Sequence, residues 1–198
     1  MKTVRIIGGK PLKGEISIEV NKNAVLPVLC ATMLSKEDCT MYHVPQSPDV
    51  LKILQAIKEL GGVYKWSESM EMLMVNCKNL QNKPVSDCVS DIQSAILFVG
   101  SLLARFGQAN VPVAVGCKLG YRGPEDLIEY LLHFDVNTSV SENGRVLFSV
   151  DKQRFIDDSL VQVSNDTITK HISFSESPVT ATENLLMFTS CVTKFDIK

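Results

Sequence analysis

Ala24-Val25-Leu26-Pro27-Val28-Leu29-Cys30-Ala31-Thr32-Met33-Leu34 is almost wholly apolar or small, and its surroundings decide how the chain is read. Such a run suits a helix covered on every side. Just before it, Glu15-Ile16-Ser17-Ile18-Glu19-Val20 alternates with the two-residue period of a half-buried strand, so Gly14 to Val20 is expected to be one. After it, Cys39 to Val44 reads as a short strand, and Pro48-Asp49 opens an amphipathic helix. That helix is expected to bury Val50, Leu51, Ile53, Leu54, Ile57 and Leu60 and to stop at Gly61-Gly62. Strand-like Val63 to Trp66 and Met72 to Val75 close the unit.

Roughly seventy residues later the same order returns, a stronger architectural signal than any single element. Ser94 to Leu103 is another nearly all-apolar helix, and Ala109 to Val115 a strand. Pro124-Glu125-Asp126 opens an amphipathic helix with Leu127, Ile128, Leu131, Leu132 and Phe134. Val136 to Val140 and Arg145 to Val150 then pair around Glu142-Asn143-Gly144. A third unit begins with Ser159 to Val163 and a helix from Val179 to Val192, and Lys198 comes before its second helix. An exposed apolar face is therefore expected unless something covers it.

The 198 residues, 45% of them hydrophobic, suffice for one substantial core. A net charge of −2, from 20 basic and 22 acidic residues spread along the chain, offers no basic stripe for a phosphodiester backbone. Duplex nucleic acid is excluded as the main partner. The six cysteines form no C-x-x-C pair and no zinc-ligand spacing with histidine, so no metal is expected and the thiols read as reduced. The start, Met1-Lys2-Thr3-Val4-Arg5-Ile6-Ile7-Gly8-Gly9, reaches glycine before a signal-length apolar run develops, and no stretch is long enough to span a membrane. A cytoplasmic protein is expected.

Four stretches carry a family resemblance: Asn21-Lys22-Asn23-Ala24-Val25-Leu26-Pro27; Leu103-Ala104-Arg105-Phe106-Gly107-Gln108; Gly116-Cys117-Lys118-Leu119-Gly120-Tyr121-Arg122; and Val179-Thr180-Ala181-Thr182-Glu183-Asn184-Leu185. In order and spacing they resemble the N-terminal half of the UDP-N-acetylglucosamine 1-carboxyvinyltransferases, enolpyruvyl transferases of the EPSP synthase-like group. The resemblance implies an inverted α/β barrel of repeated strand-helix-strand-helix-strand-strand units, helices inside and sheets outside, in two lobes of three units. Residues 1–20 would then supply strands to an absent second lobe. Residues 21–198 would form one lobe of units at about 21–80, 86–150 and 155–198, the last incomplete. The implied chemistry moves the enolpyruvyl group of phosphoenolpyruvate to the 3-hydroxyl of UDP-N-acetylglucosamine, a step toward peptidoglycan, with no cofactor.

The residues suit that chemistry. Lys22 sits where a helix begins, and its ammonium adds to the partial positive charge of unpaired N–H groups, as an anion site needs. Asn23 can donate and accept at once, which suits orienting a sugar hydroxyl. The alternative is that Asn21 or Asn23 caps the helix and Lys22 is solvated. Cys117 lies in a glycine-flanked loop with Lys118 and Arg122, cations that lower a thiol's pKa and populate its thiolate. By resemblance Cys117 adds covalently to phosphoenolpyruvate and is the residue that fosfomycin-type epoxides alkylate, while Arg122 binds phosphate. Thr180, Thr182 and Asn184 match the family's nucleotide region, although Ser177-Pro178 before Thr180 is also an ordinary helix start. Arg105, Trp66 and His133 read as packing or surface residues.

Two departures stand out. Gln93 occupies the position of a family arginine that pairs with phosphoenolpyruvate, and losing one charge-assisted bond costs about 1.5 to 3 kcal/mol. Asp91 beside it would add repulsion if it faced the site. Gly123-Pro124-Glu125-Asp126 also departs from the family pattern, and the general acid/base aspartate belongs to the second lobe. Catalysis then requires a C-terminal lobe or another chain over the open face. A non-catalytic module binding a UDP-sugar or a partner protein is the alternative of a different class. The shikimate-pathway relative, 5-enolpyruvylshikimate-3-phosphate synthase, fits less well, because its Lys-Ser opening and Gly-Asn-Ala-Gly-Thr stretch are missing.

Overall fold

A computed structural model describes residues 3–5, 7–9, 11, 13–16, 18, 20–112, 123–150 and 178–191. Helix α1 (Lys22–Ala31) begins where the Asn21 side chain accepts the Asn23 backbone N–H at 2.9 Å. It tightens into a 3-10 turn over Thr32–Leu34, where the Thr32 hydroxyl donates to the Leu29 carbonyl at 2.7 Å. Val25, Leu26, Leu29, Cys30 and Met33 are buried, whereas Val28 on the other side is 49% exposed. The expectation of a helix covered all round is corrected: α1 is covered on the face toward α2 and α3.

Strand β1 (Asp38–Tyr42) leads to α2 (Pro48–Glu59), which carries Pro at its start, Asp49 in its first turn and Lys58 in its last, each matching the helix dipole. Gly61, at φ +104, takes the left-handed position that ends the helix, and the Gly62 N–H donates back to the Ile57 carbonyl at 2.9 Å. Strands β2 (Val63–Trp66) and β3 (Met72–Asn76) follow. The sheet has the order β1-β3-β2 with both pairs antiparallel, so α2 is the crossover between parallel β1 and β2. Cys39 and Tyr64 oppose Val75, and Met41 and Trp66 oppose Leu73, which puts the apolar residues on the face toward the helices.

The second unit repeats this plan. A 3-10 turn (Gln93–Leu97) runs into α3 (Phe98–Phe106), then β4 (Gln108–Pro112), α4 (Glu125–Leu132), β5 (Val136–Val140) and β6 (Arg145–Val150), with sheet order β4-β6-β5. Where one helix is expected over Ser94 to Leu103, the chain starts in the tighter 3-10 form over Gln93–Leu97 and becomes α-helical at Phe98. From Phe98 to Leu103 every residue of α3 is buried, so this second helix is covered all round.

Helix α5 (Val179–Thr189) packs against α3 and α4. The strand expected at Ser159 to Val163 lies outside the described residues. The strand expected at Gly14 to Val20 is not formed by the described residues there: Ile16 and Ile18 are exposed, and no described strand lies alongside to complete a ladder. Among the described residues no helix is long and apolar enough to cross a membrane.

Candidate functional site

Contacts among the three buried helices determine their relative direction. The Ser101 hydroxyl of α3 donates to the Cys30 carbonyl of α1 at 2.7 Å, and one turn further on the Arg105 guanidinium reaches the carbonyls of Met33 at 2.8 Å and Ser35 at 3.3 Å. The Gly100 N–H donates to Asn184 Oδ1 of α5 at 2.7 Å, and Ser101 lies 3.2 Å from Met187 Sδ. Positions rise together in all three, so α1, α3 and α5 run the same way and their N-terminal ends share one end of the molecule. Lys22 and Asn23, Gln93, and Thr180 and Thr182 all lie there. Each helix N-terminus carries roughly half a positive charge in unpaired N–H groups, a field that suits an anion.

The first turn of α2 comes to the same end. Lys22 pairs with Asp49, and Lys52, one turn along α2, pairs with both oxygens of Asp91. The Lys52 ammonium holds the Asp91 carboxyl below the usual carboxylate range. Asp91 is therefore occupied rather than free to repel an anion. The four side-chain charges cancel, and the helix ends supply the remaining positive field. Asn21 is the cap of α1, which leaves the Asn23 side chain clear of capping, and Asn23 is exposed. Gln93 is half-buried at the start of its turn.

Thr180 is half-buried and Thr182 exposed, and the Thr182 hydroxyl donates to the Pro178 carbonyl at 3.2 Å. Asn184 is fully buried: its Nδ2 donates to the Thr180 carbonyl at 2.9 Å while Oδ1 accepts from Gly100. Its expected place beside a nucleotide is thus corrected to one within the helix packing, because both amide atoms are engaged there. A Cβ at Gly100 would overlap the Asn184 carbonyl, which is why this crossing holds a glycine. The sequence signal is a glycine and serine inside an apolar run, facing a polar residue in another.

Cys117 and Arg122 lie outside the described residues. Of the other thiols, Cys30 and Cys77 are buried, Cys39 and Cys88 half-buried and Cys191 exposed; burial pushes the Cys30 and Cys77 thiols up. Arg105 packs as expected, donating also to the Lys78 carbonyl at 2.8 Å, and Trp66 is half-buried on the inner face of its sheet. No group of three or more His, Cys, Asp and Glu among the described residues is placed to hold a metal.

Residues 6–194 match the family model for EPSP synthase (3-phosphoshikimate 1-carboxyvinyltransferase). The UDP-N-acetylglucosamine 1-carboxyvinyltransferase of Dichelobacter nodosus is 32% identical over 189 residues, covering 94% of this chain and 41% of that protein. The one from Pelagibacter ubique is 29% identical over 194 residues, covering 98% and 43%. The enolpyruvyl transferase NikO from Streptomyces tendae shares the fold, with a TM-score of 0.65 at 15% identity over 91% of this chain and 39% of its own. The chain spans about two fifths of the length of these relatives.

Proposed function

The chain belongs to the EPSP synthase family of enolpyruvyl transferases, and from that premise we propose that it takes part in moving the enolpyruvyl group of phosphoenolpyruvate to the 3-hydroxyl of UDP-N-acetylglucosamine. In that reaction the sugar oxygen forms a bond to C2 of the enolpyruvyl group, the bond from C2 to the phosphate oxygen breaks, and phosphate leaves with the hydroxyl proton. Curated relatives with this activity support the substrate pair over the shikimate-pathway substrates.

The carrying observation is the shared end of α1, α2, α3 and α5, where helix termini concentrate positive potential beside Lys22, Asn23 and Gln93. In this reading Lys22 and Arg122 bind phosphate, Asn23 orients the sugar hydroxyl, Thr180 and Thr182 meet the nucleotide, and Cys117 adds to phosphoenolpyruvate and assists product release. Gln93 gives a neutral hydrogen bond where a cation would give a charged one, a loss of about ten- to a hundredfold in binding.

The proposed organisation is one lobe of an inverted α/β barrel, residues 21–198, completed by a C-terminal lobe or another chain, with residues 1–20 pairing outside this lobe. One-sided coverage of α1 and the exposure of Ile16 and Ile18 support it. The test is phosphate release from phosphoenolpyruvate and UDP-N-acetylglucosamine, by the chain alone and mixed with the C-terminal half of a relative. Release in the mixture is expected; release in neither sample overturns the enzyme reading. Gln93 favours one second reading, a UDP-sugar-binding module, which would bind the sugar nucleotide and release no phosphate in either sample.

A further inference from the structure

Lys22 is the first residue of α1, and its side chain is 48% exposed on a flexible four-carbon stem. Left alone, such an ammonium samples many rotamers, and holding it against a ligand costs much of that freedom. Here it is already held. Asp49, in the first turn of α2 and only 24% exposed, takes one of the three ammonium protons, and α2, whose Val50, Ile53 and Leu54 are buried, is packed against α1. The carboxylate is itself steadied by the α2 N-terminus, where negative charge is favoured. One turn along, Lys52 holds Asp91, two residues before Gln93, so α2 braces both α1 and the Gln93 turn.

We propose that Asp49 is a positioning residue: it holds the Lys22 ammonium ready at the shared helix ends, leaving its two other protons for an anionic ligand. This rests on the anion-binding reading of Lys22 given above. Asp49 need not touch the ligand; it acts through Lys22, by cutting the rotamer freedom lost on binding. A neutral residue at 49 removes a nearby negative charge, which by itself would favour an anion, and the inference is that lost placement outweighs this.

A double-mutant cycle in the full chain tests it, with phosphoenolpyruvate titrated by calorimetry in the presence of UDP-N-acetylglucosamine. Asp49→Ala should weaken binding about tenfold in the wild-type background and less than about twofold in a Lys22→Ala background, since the effect is routed through Lys22. Thermal unfolding should barely move, because an exposed ion pair contributes little to stability. Equal losses in both backgrounds, no change, or tighter binding by Asp49→Ala would each overturn the inference while leaving Lys22 as an anion ligand. Absence of phosphoenolpyruvate binding by the wild-type chain, both alone and mixed with the C-terminal half of a relative, would overturn the functional reading itself, and this inference with it.

Discussion

At Asn184 one buried amide joins two helices, and its neighbour Glu183 shows what happens to a polar group without that arrangement. Asn184 has both amide atoms bonded, so its burial is compensated. Glu183 is half-buried, and loss of solvation pushes its carboxyl above the ordinary value. An unfolded glutamate titrates near ~4.3, so the folded chain holds this proton more tightly, and the stability so gained is full below that pH and lost as pH rises through the folded value. Glu183→Gln should therefore raise the urea midpoint at pH 7, with the gain shrinking toward zero below about pH 4. A gain of the same size at pH 4 and pH 7 would mean that the carboxylate charge is not the cause.

Among elements, one side chain ties the connection between the two units to the second sheet by several bonds. Arg145, at the start of β6, donates from Nε to Asn110 Oδ1 at 2.8 Å on β4, from Nη2 to the Val85 carbonyl at 2.6 Å, and pairs with Asp87. The Val85 N–H in turn donates to the Asn110 carbonyl at 2.9 Å, so the segment between the units lies along β4. Arg145 is only 14% exposed on its side chain, so its bonds to Asn110 and Val85 are partly shielded from water, whereas Asp87 stands largely in solvent. Arg145→Ala is expected to destabilise the chain by about 2 to 3 kcal/mol, read by urea unfolding, and to open the 77–92 segment to limited proteolysis. Lysine should not restore it, since a point ammonium cannot span three acceptors. The repeated plan of the two units was legible beforehand, because periods of two and 3.6 residues mark which side of each strand and helix is apolar. The one-sided burial of α1 was not, since an apolar run does not reveal how many neighbours it has.

For the whole molecule, three helices running the same way concentrate N-terminal ends at one end and bury the thiols near their packing. In the native chain Cys30 and Cys77 should resist a negatively charged alkylating agent and react only at the rate of unfolding, while exposed Cys191 reacts freely. On the proposed function Cys117 should be labelled before Cys191; labelling of Cys117 no faster than Cys191, followed by mass spectrometry of the digested protein, would mean that its loop does not activate it.

By itself the sequence determined the order of elements from α1 to β6, the repeat of the two units, the boundaries at Pro48 and Gly61, and the family, all of which rest on local periodicity, turn chemistry and short motifs. Only the tertiary structure decided that Asp49 holds Lys22, that Lys52 occupies Asp91, and that Asn184 locks α5 to Gly100. Those pairs are 27, 39 and 84 positions apart, and a side chain's charge or amide has no fixed partner until packed helices bring one within hydrogen-bond reach.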